Sequence, residues 1–130
     1  MADGIVIREL PDGGKEFVLD DPALSYIRID EQSRLQFGDT EVVIGIPFTV
    51  EVNGSVHHLN PHRTEALGPL VALYPSTMRW LWTSAEGELN AVFESGAKVK
   101  VTPDAVSKAW SVGNVYCMPG APARTSGSAL

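Results

Sequence analysis

A mostly β fold is predicted by three observations: period-2 alternation of apolar residues, closely spaced turn signals, and connectors too short for crossover helices. The expected architecture is an antiparallel β-sandwich or partly open barrel of about eight to ten strands with one or two short helices. The clearest alternation is Val42, Ile44, Ile46, Phe48, Val50 and Val52. Spacing of two puts all six side chains on one face of an extended chain. Pro47 interrupts the run; it has no N–H for a ladder, so it marks an edge, a bulge or a sharp bend, and a strand bent at Gly45–Pro47 could serve two sheets. Asn53-Gly54 follows as a type I′ hairpin turn, which needs φ > 0 at both central residues. That turn pairs Val52 with Ser55, Val50 with His57 and Phe48 with Leu59.

The other elements follow in chain order. Ile5–Leu10 and Glu16–Leu19 flank Pro11-Asp12-Gly13-Gly14, a connector with turn chemistry. Asp20-Asp21-Pro22 breaks that hairpin. Tyr26–Asp30 and Arg34–Phe37 are the next strands, joined by Glu31-Gln32-Ser33. A helix is expected from Pro69, at a first-turn position, to Tyr74, with Pro75 as its stop and Thr64 as a candidate cap upstream. Arg79–Thr83 and Glu88–Glu94 form a hairpin, and Ala97–Thr102 points Val99 and Val101 inward and Lys98 and Lys100 outward. Thr102-Pro103-Asp104 resembles a helix start running to about Lys108. Trp110–Val112 and Val115–Met118 form a last hairpin around Gly113-Asn114. Residues 34–48 and 90–104 echo each other, matching Phe37 to Phe93, Val43 to Val99 and Pro47 to Pro103, which suggests two similar meanders facing each other.

At 130 residues the chain fits one domain, taken as 1–119 with the N-terminal hairpin 1–20 added to its core. Residues 120–130, rich in Gly, Ala, Ser and Thr, are expected to be a disordered tail. With 44% hydrophobic and 20% charged residues the composition is ordinary globular. One cysteine, Cys117, excludes an intrachain disulfide and points to a reducing, cytoplasmic setting. No apolar stretch is long enough to span a bilayer, so no membrane is expected. The net charge of −6 disfavours nucleic acid, whose phosphates need Lys and Arg. The charge is uneven: residues 1–52 hold eleven acids and four bases, residues 53–130 five acids and six bases.

Candidate chemistry is sparse. His57, His58 and His62 lie close in sequence. The hairpin register puts His57 on the core face with Val50, half-buried, and His58 opposite, leaving only His58 and His62, with Glu51 near, for a metal-dependent enzyme. The pattern matches no metal motif, so no metal ligand or cofactor is assigned. Cys117 sits between Tyr116 and Met118 and reads as a buried structural thiol. Phosphate loops, dinucleotide glycines and G-x-S-x-G are absent from the sequence, so no catalytic residue is assigned. Trp80, Trp82 and Trp110 are candidates for a ligand pocket or partner surface; Trp80 and Trp82 share one strand face, expected to be the core side.

Several motifs occur together in a fixed order: Pro47-Phe48-Thr49, Asn53-Gly54, Leu59-Asn60-Pro61, Pro69-Leu70 with Leu73, Gly87-Glu88-Leu89 with Phe93, Gly96 to Asp104, Ala109-Trp110, and Cys117 to Gly120. In these the chain resembles an uncharacterised family of short, mostly high-GC Gram-positive bacterial proteins of unknown function, over about residues 24–120. The resemblance implies a shared β fold and carries over no activity or catalytic residue. The last hairpin, at Gly113-Asn114, looks shorter than in such relatives.

The function expected is therefore binding rather than catalysis. The leading form is an immunity-type or regulatory module whose acidic half, through Asp30, Glu31, Asp39 and Glu41, meets a basic protein partner. The alternatives are a small-molecule-binding β-barrel or sandwich built around the tryptophans, and a homodimer formed through a sheet edge.

Overall fold

A computed structural model of the chain describes residues 5–104, 109–117 and 123–125. Thirteen strands occur among them. The first seven are β1 (Ile5–Glu9), β2 (Lys15–Leu19), β3 (Tyr26–Ile29), β4 (Ser33–Phe37), β5 (Thr40–Ile44), β6 (Phe48–Val52) and β7 (Ser55–Leu59). The rest are β8 (Met78–Thr83), β9 (Leu89–Phe93), β10 (Lys98–Val101), β11 (Trp110–Val112), β12 (Val115–Cys117) and β13 (Ala123–Thr125). They form a seven-stranded sheet in the order β1-β2-β8-β9-β10-β6-β7 and a six-stranded sheet in the order β13-β12-β11-β5-β4-β3. All pairings within the two sheets are antiparallel. Neither sheet closes on itself, so the architecture is an open sandwich.

The strand count exceeds the expected eight to ten for a physical reason. The alternating run from Val42 to Val52 is two strands: β5 belongs to the six-stranded sheet and β6 to the seven-stranded one, with Gly45-Ile46-Pro47 crossing between them. Ile44, Ile46, Phe48 and Val50 are all buried, because both strands turn their alternating face to the shared interior. Asn53 (φ 52°) and Gly54 (φ 81°) form the expected turn, and the β6–β7 register is the expected one.

Aromatic contacts bridge the sheets. Phe17 of β2 meets Trp110 of β11 edge to face at 6.2 Å between ring centroids, and Phe37 of β4 lies 6.4 Å from Phe93 of β9. The two meanders thus face each other through their matched phenylalanines. The match stops there: Val99 points into the core, whereas Val43 points out, beside Ser111.

Three local expectations change. The helical segment is a 3₁₀ turn, Thr64–Ala66, followed by one α-turn, α1 (Gly68–Val71). Arg63 rather than Thr64 takes the cap position, and no side chain caps either element. Leu67, Leu70 and Leu73 anchor this segment in the core. The helix expected over 102–108 falls partly on residues 105–108, outside the described residues, and residues 102–104 are non-helical. Ala123–Thr125, expected within a disordered tail, pairs with β12: an edge strand is defined by backbone hydrogen bonds, which the sequence pattern does not report. The remainder of that expected tail lies outside the described residues.

Candidate functional site

The four acidic candidates sit on the β3–β4–β5 meander of the six-stranded sheet. Asp30 and Glu31 occupy the β3–β4 turn, Asp39 the β4–β5 turn, and Glu41 lies on β5. The two turns are at opposite ends of β4, roughly 15 Å apart at strand rise, so the four carboxylates do not converge. Two of them are engaged by one cation. Arg34 donates Nε to Asp30 Oδ2 at 3.2 Å and Nη1 to Glu41 Oε1 at 3.2 Å, and its Nη2 reaches Gln32 Oε1 at 2.8 Å. Arg28 approaches Asp30 as well, at 3.3 Å. Glu31 and Asp39 are exposed.

Asp30 is held below its ordinary carboxylate pKa. The first cause is the Gln32 N–H, which donates to Asp30 Oδ1 at 2.9 Å; Arg34 and Arg28 add to it against the cost of desolvation. A depressed folded-state pKa contributes stability above the unfolded value of 3.8, and that contribution is lost as pH falls through the folded value. In Arg34→Ala the Asp30 carboxyl is therefore expected to titrate higher than in the native chain, yet still below 3.8, because the backbone donor remains. A carboxyl-carbon NMR titration reads both displacements.

The histidines do not gather. His57 pairs with Val50 across the β6–β7 hairpin as expected, but it is exposed rather than half-buried. The reason is position: β7 is the last strand of its sheet, and only Leu59 of β7 is buried. His58 lies beside Thr49 on the outer face of the seven-stranded sheet, whereas His62 borders a polar depression with Asp30, Glu31, Gln32 and Arg34. Among the described residues no three His, Cys, Asp or Glu side chains come together as a metal-ligating group. The side chain of Cys117 lies outside the described residues.

The tryptophans separate into two environments. Trp110 is 1% exposed, and its Nε1 donates to the carbonyl of Gly87 at 2.8 Å. Trp80 and Trp82 turn away from the core, because on β8 it is Met78, Leu81 and Thr83 that point inward. Their rings stack at 3.9 Å, and Trp80 is 44% exposed. This corrects the core-side expectation. A strand of alternating Trp, Leu, Trp and Thr does not say which set faces in. The signal lay in the partner strand: the register sets Trp82 against Asn90 and Leu81 against Ala91, and only the latter pair suits a core.

The strand registers place two rows of side chains across the outer face of the seven-stranded sheet. One row carries Val6, Val18, Trp80, Val92, Lys98, Glu51 and Val56; the other carries Arg8, Glu16, Trp82, Asn90, Lys100, Thr49 and His58. Val18 and Trp80 line one depression, together with Arg79, which a β-bulge between Met78 and Trp80 lifts outward. A second depression of about 310 Å³ runs along Trp82, Val92, Lys98, Lys100 and Val56. Val6 and Val56 are more than half exposed.

Among the described residues no helix is long and apolar enough to cross a membrane. No curated protein and no solved structure matches the chain. A family does, over residues 17–124, a stretch that runs from the middle of β2 into β13. The chain belongs to DUF6188, a family of unknown function.

Proposed function

We propose that this protein is a non-enzymatic binding module that engages a protein partner through the outer face of its seven-stranded sheet. The stacked pair Trp80–Trp82 is the observation that carries this function. Burying Trp80 together with Val6, Val18 and Val92 would remove a contiguous apolar surface from water, and Trp is the residue most enriched among energetic anchors of interfaces. The face is built on paired strands, so little ordering cost opposes binding.

The test is a double substitution, Trp80→Ser with Trp82→Ser. Both side chains lie outside the core, so the variant is expected to keep its thermal midpoint within a few degrees and to lose its partner in affinity purification after cross-linking in cells. An unchanged set of cross-linked proteins refutes the proposal.

A second possibility is the immunity-type or regulatory role, with the acidic half meeting a basic protein. Exposed Glu31 and Asp39 favour it; the commitment of Asp30 and Glu41 to Arg34 weakens it, because a partner must displace existing charge-assisted bonds. Charge reversal of Glu31 and Asp39 to Lys discriminates the two: it abolishes binding on this route and leaves binding through the tryptophan face intact. A small-molecule role has less support, since Trp110 is buried apart from Trp80 and Trp82 and the three line no common pocket among the described residues.

A further inference from the structure

The outer face of the seven-stranded sheet is electrically balanced. It carries four cations, Arg8, Arg79, Lys98 and Lys100. Strand alternation puts four carboxylates beside them, Glu16, Glu51, Glu88 and Glu94. The net charge of −6 therefore lies elsewhere on the molecule. Glu88 accepts from Thr102 Oγ1 at 3.0 Å, and among the described residues the other seven charges are in no ion pair. The relief of the face is balanced too. The stacked Trp80–Trp82 pair stands on β8, and the depression of about 310 Å³ lies beside it, over β9, β10 and β6. A protrusion next to a recess, with charges of both signs around them, is what a surface needs in order to be complementary to itself.

From this we infer that the partner of the tryptophan face is a second copy of the chain, stacked face to face about a dyad that runs parallel to the strands between β8 and β9. The inference rests on the binding function proposed above and names its partner. Such a dyad sets β8 of one copy over β9 of the other, β2 over β10 and β1 over β6, and keeps each row of side chains in step. Trp80 then meets Val92 of the second copy and Trp82 meets its Asn90, so each tryptophan pair seats at the other copy's depression. The charges fall into opposite pairs in the same register. Glu16 faces Lys100 of the second copy, Arg79 faces its Glu94, and Arg8 lies one row from its Glu51. Symmetry makes every one of these contacts twice. Two chains of like net charge thus meet where neither sign dominates. Six overlapping strands of five residues give roughly 29 Å by 17 Å, about 500 Å² in projection from each copy, the low end for a specific interface. The dimer is therefore expected to be reversible and to depend on concentration.

The experiment is sedimentation equilibrium of the full chain over rising concentration, with circular dichroism to show that each variant is folded. The native chain should pass from monomer to dimer, and Trp80→Ser/Trp82→Ser should stay monomeric. Lys100→Glu sets Glu16 against a like charge at two places in the dimer, and Glu16→Lys does the same to Lys100. Each single reversal should raise the dimer dissociation constant about tenfold or more. The double reversal Glu16→Lys/Lys100→Glu restores opposite charges across the dyad and should return the constant to within about threefold of the native value. A native chain that stays monomeric throughout overturns this inference; the binding function still stands if cross-linking in cells finds a different chain held through the tryptophans. A dimer that the tryptophan substitutions leave intact forms through another surface, a sheet edge among them, and overturns it as well. A tryptophan-dependent dimer that the double reversal fails to restore overturns the pairing about this dyad. The binding function itself falls only if neither a dimer nor a cross-linked partner depends on Trp80 and Trp82.

Discussion

Replacing Trp110 by Ala is expected to destabilise the fold by about 3–5 kcal/mol, the range for large aromatic truncations in a well-packed core. Trp110 is 1% exposed, sits on β11 between β12 and β5, and spans the sandwich to reach Phe17 of the opposite sheet. Its removal leaves a cavity at the join between the sheets and also orphans the carbonyl of Gly87, which accepts its Nε1–H. For a chain of this length the loss corresponds to a fall in Tm on the order of 10–20 °C. Trp110→Phe separates the two contributions: it keeps most of the volume and loses the hydrogen bond, so it should cost about 1–3 kcal/mol. Urea titration followed by circular dichroism measures both. A Trp110→Ala chain with an unchanged midpoint contradicts this packing.

The second large effect is expected at Gly14. A Cβ built there comes 2.2 Å from the carbonyl oxygen of Thr83, an atom of the β8 backbone that cannot rotate aside. Gly14→Ala therefore forces β2 and β8 apart where Lys15 pairs with Thr83. Overpacking in a close-packed site costs about 1–3 kcal/mol, and a backbone obstacle places Gly14→Ala at the upper end. The damage should be directional. Hydrogen exchange is expected to speed up in β1, β2 and β8 and to stay slow in β5 and β11. Gly54→Ala is the contrast: nothing lies within 4 Å of its added Cβ, and only the left-handed backbone (φ 81°) opposes it. Uniform acceleration of exchange across both sheets in Gly14→Ala counts against a local wedge.

Much of the fold was legible because turns and alternation are local. Asn53-Gly54 specifies the β6–β7 register by itself, since two positive φ values in a row leave one common turn. Pro47 marks the passage between sheets because its missing N–H rules out a continuous ladder. The face of β8 was not legible. Trp80, Leu81, Trp82 and Thr83 alternate equally well in either sense, and the choice is made by β2 and β9, distant in sequence from one another. The acidic candidates were readable as charges but not as a site: Arg34 reaches Asp30 across the β3–β4 turn, and Glu41 only because β4 and β5 pair in this register. The exposure of His57 was not legible either, because a hairpin predicts which face a residue takes, not whether another strand covers it.

The passages of the chain between sheets have a consequence for how the molecule comes apart. The chain enters the six-stranded sheet after β2, leaves it at Gly45–Pro47, and returns after β10. Neither sheet is therefore a continuous piece of polypeptide. A break at Gly45–Pro47 would leave an N-terminal fragment owning two strands of one sheet and three of the other, with partners for both on the remaining piece. Two such fragments can only complete one another by assembling both sheets at once, which makes that three-residue link the natural place to divide the protein into complementing halves.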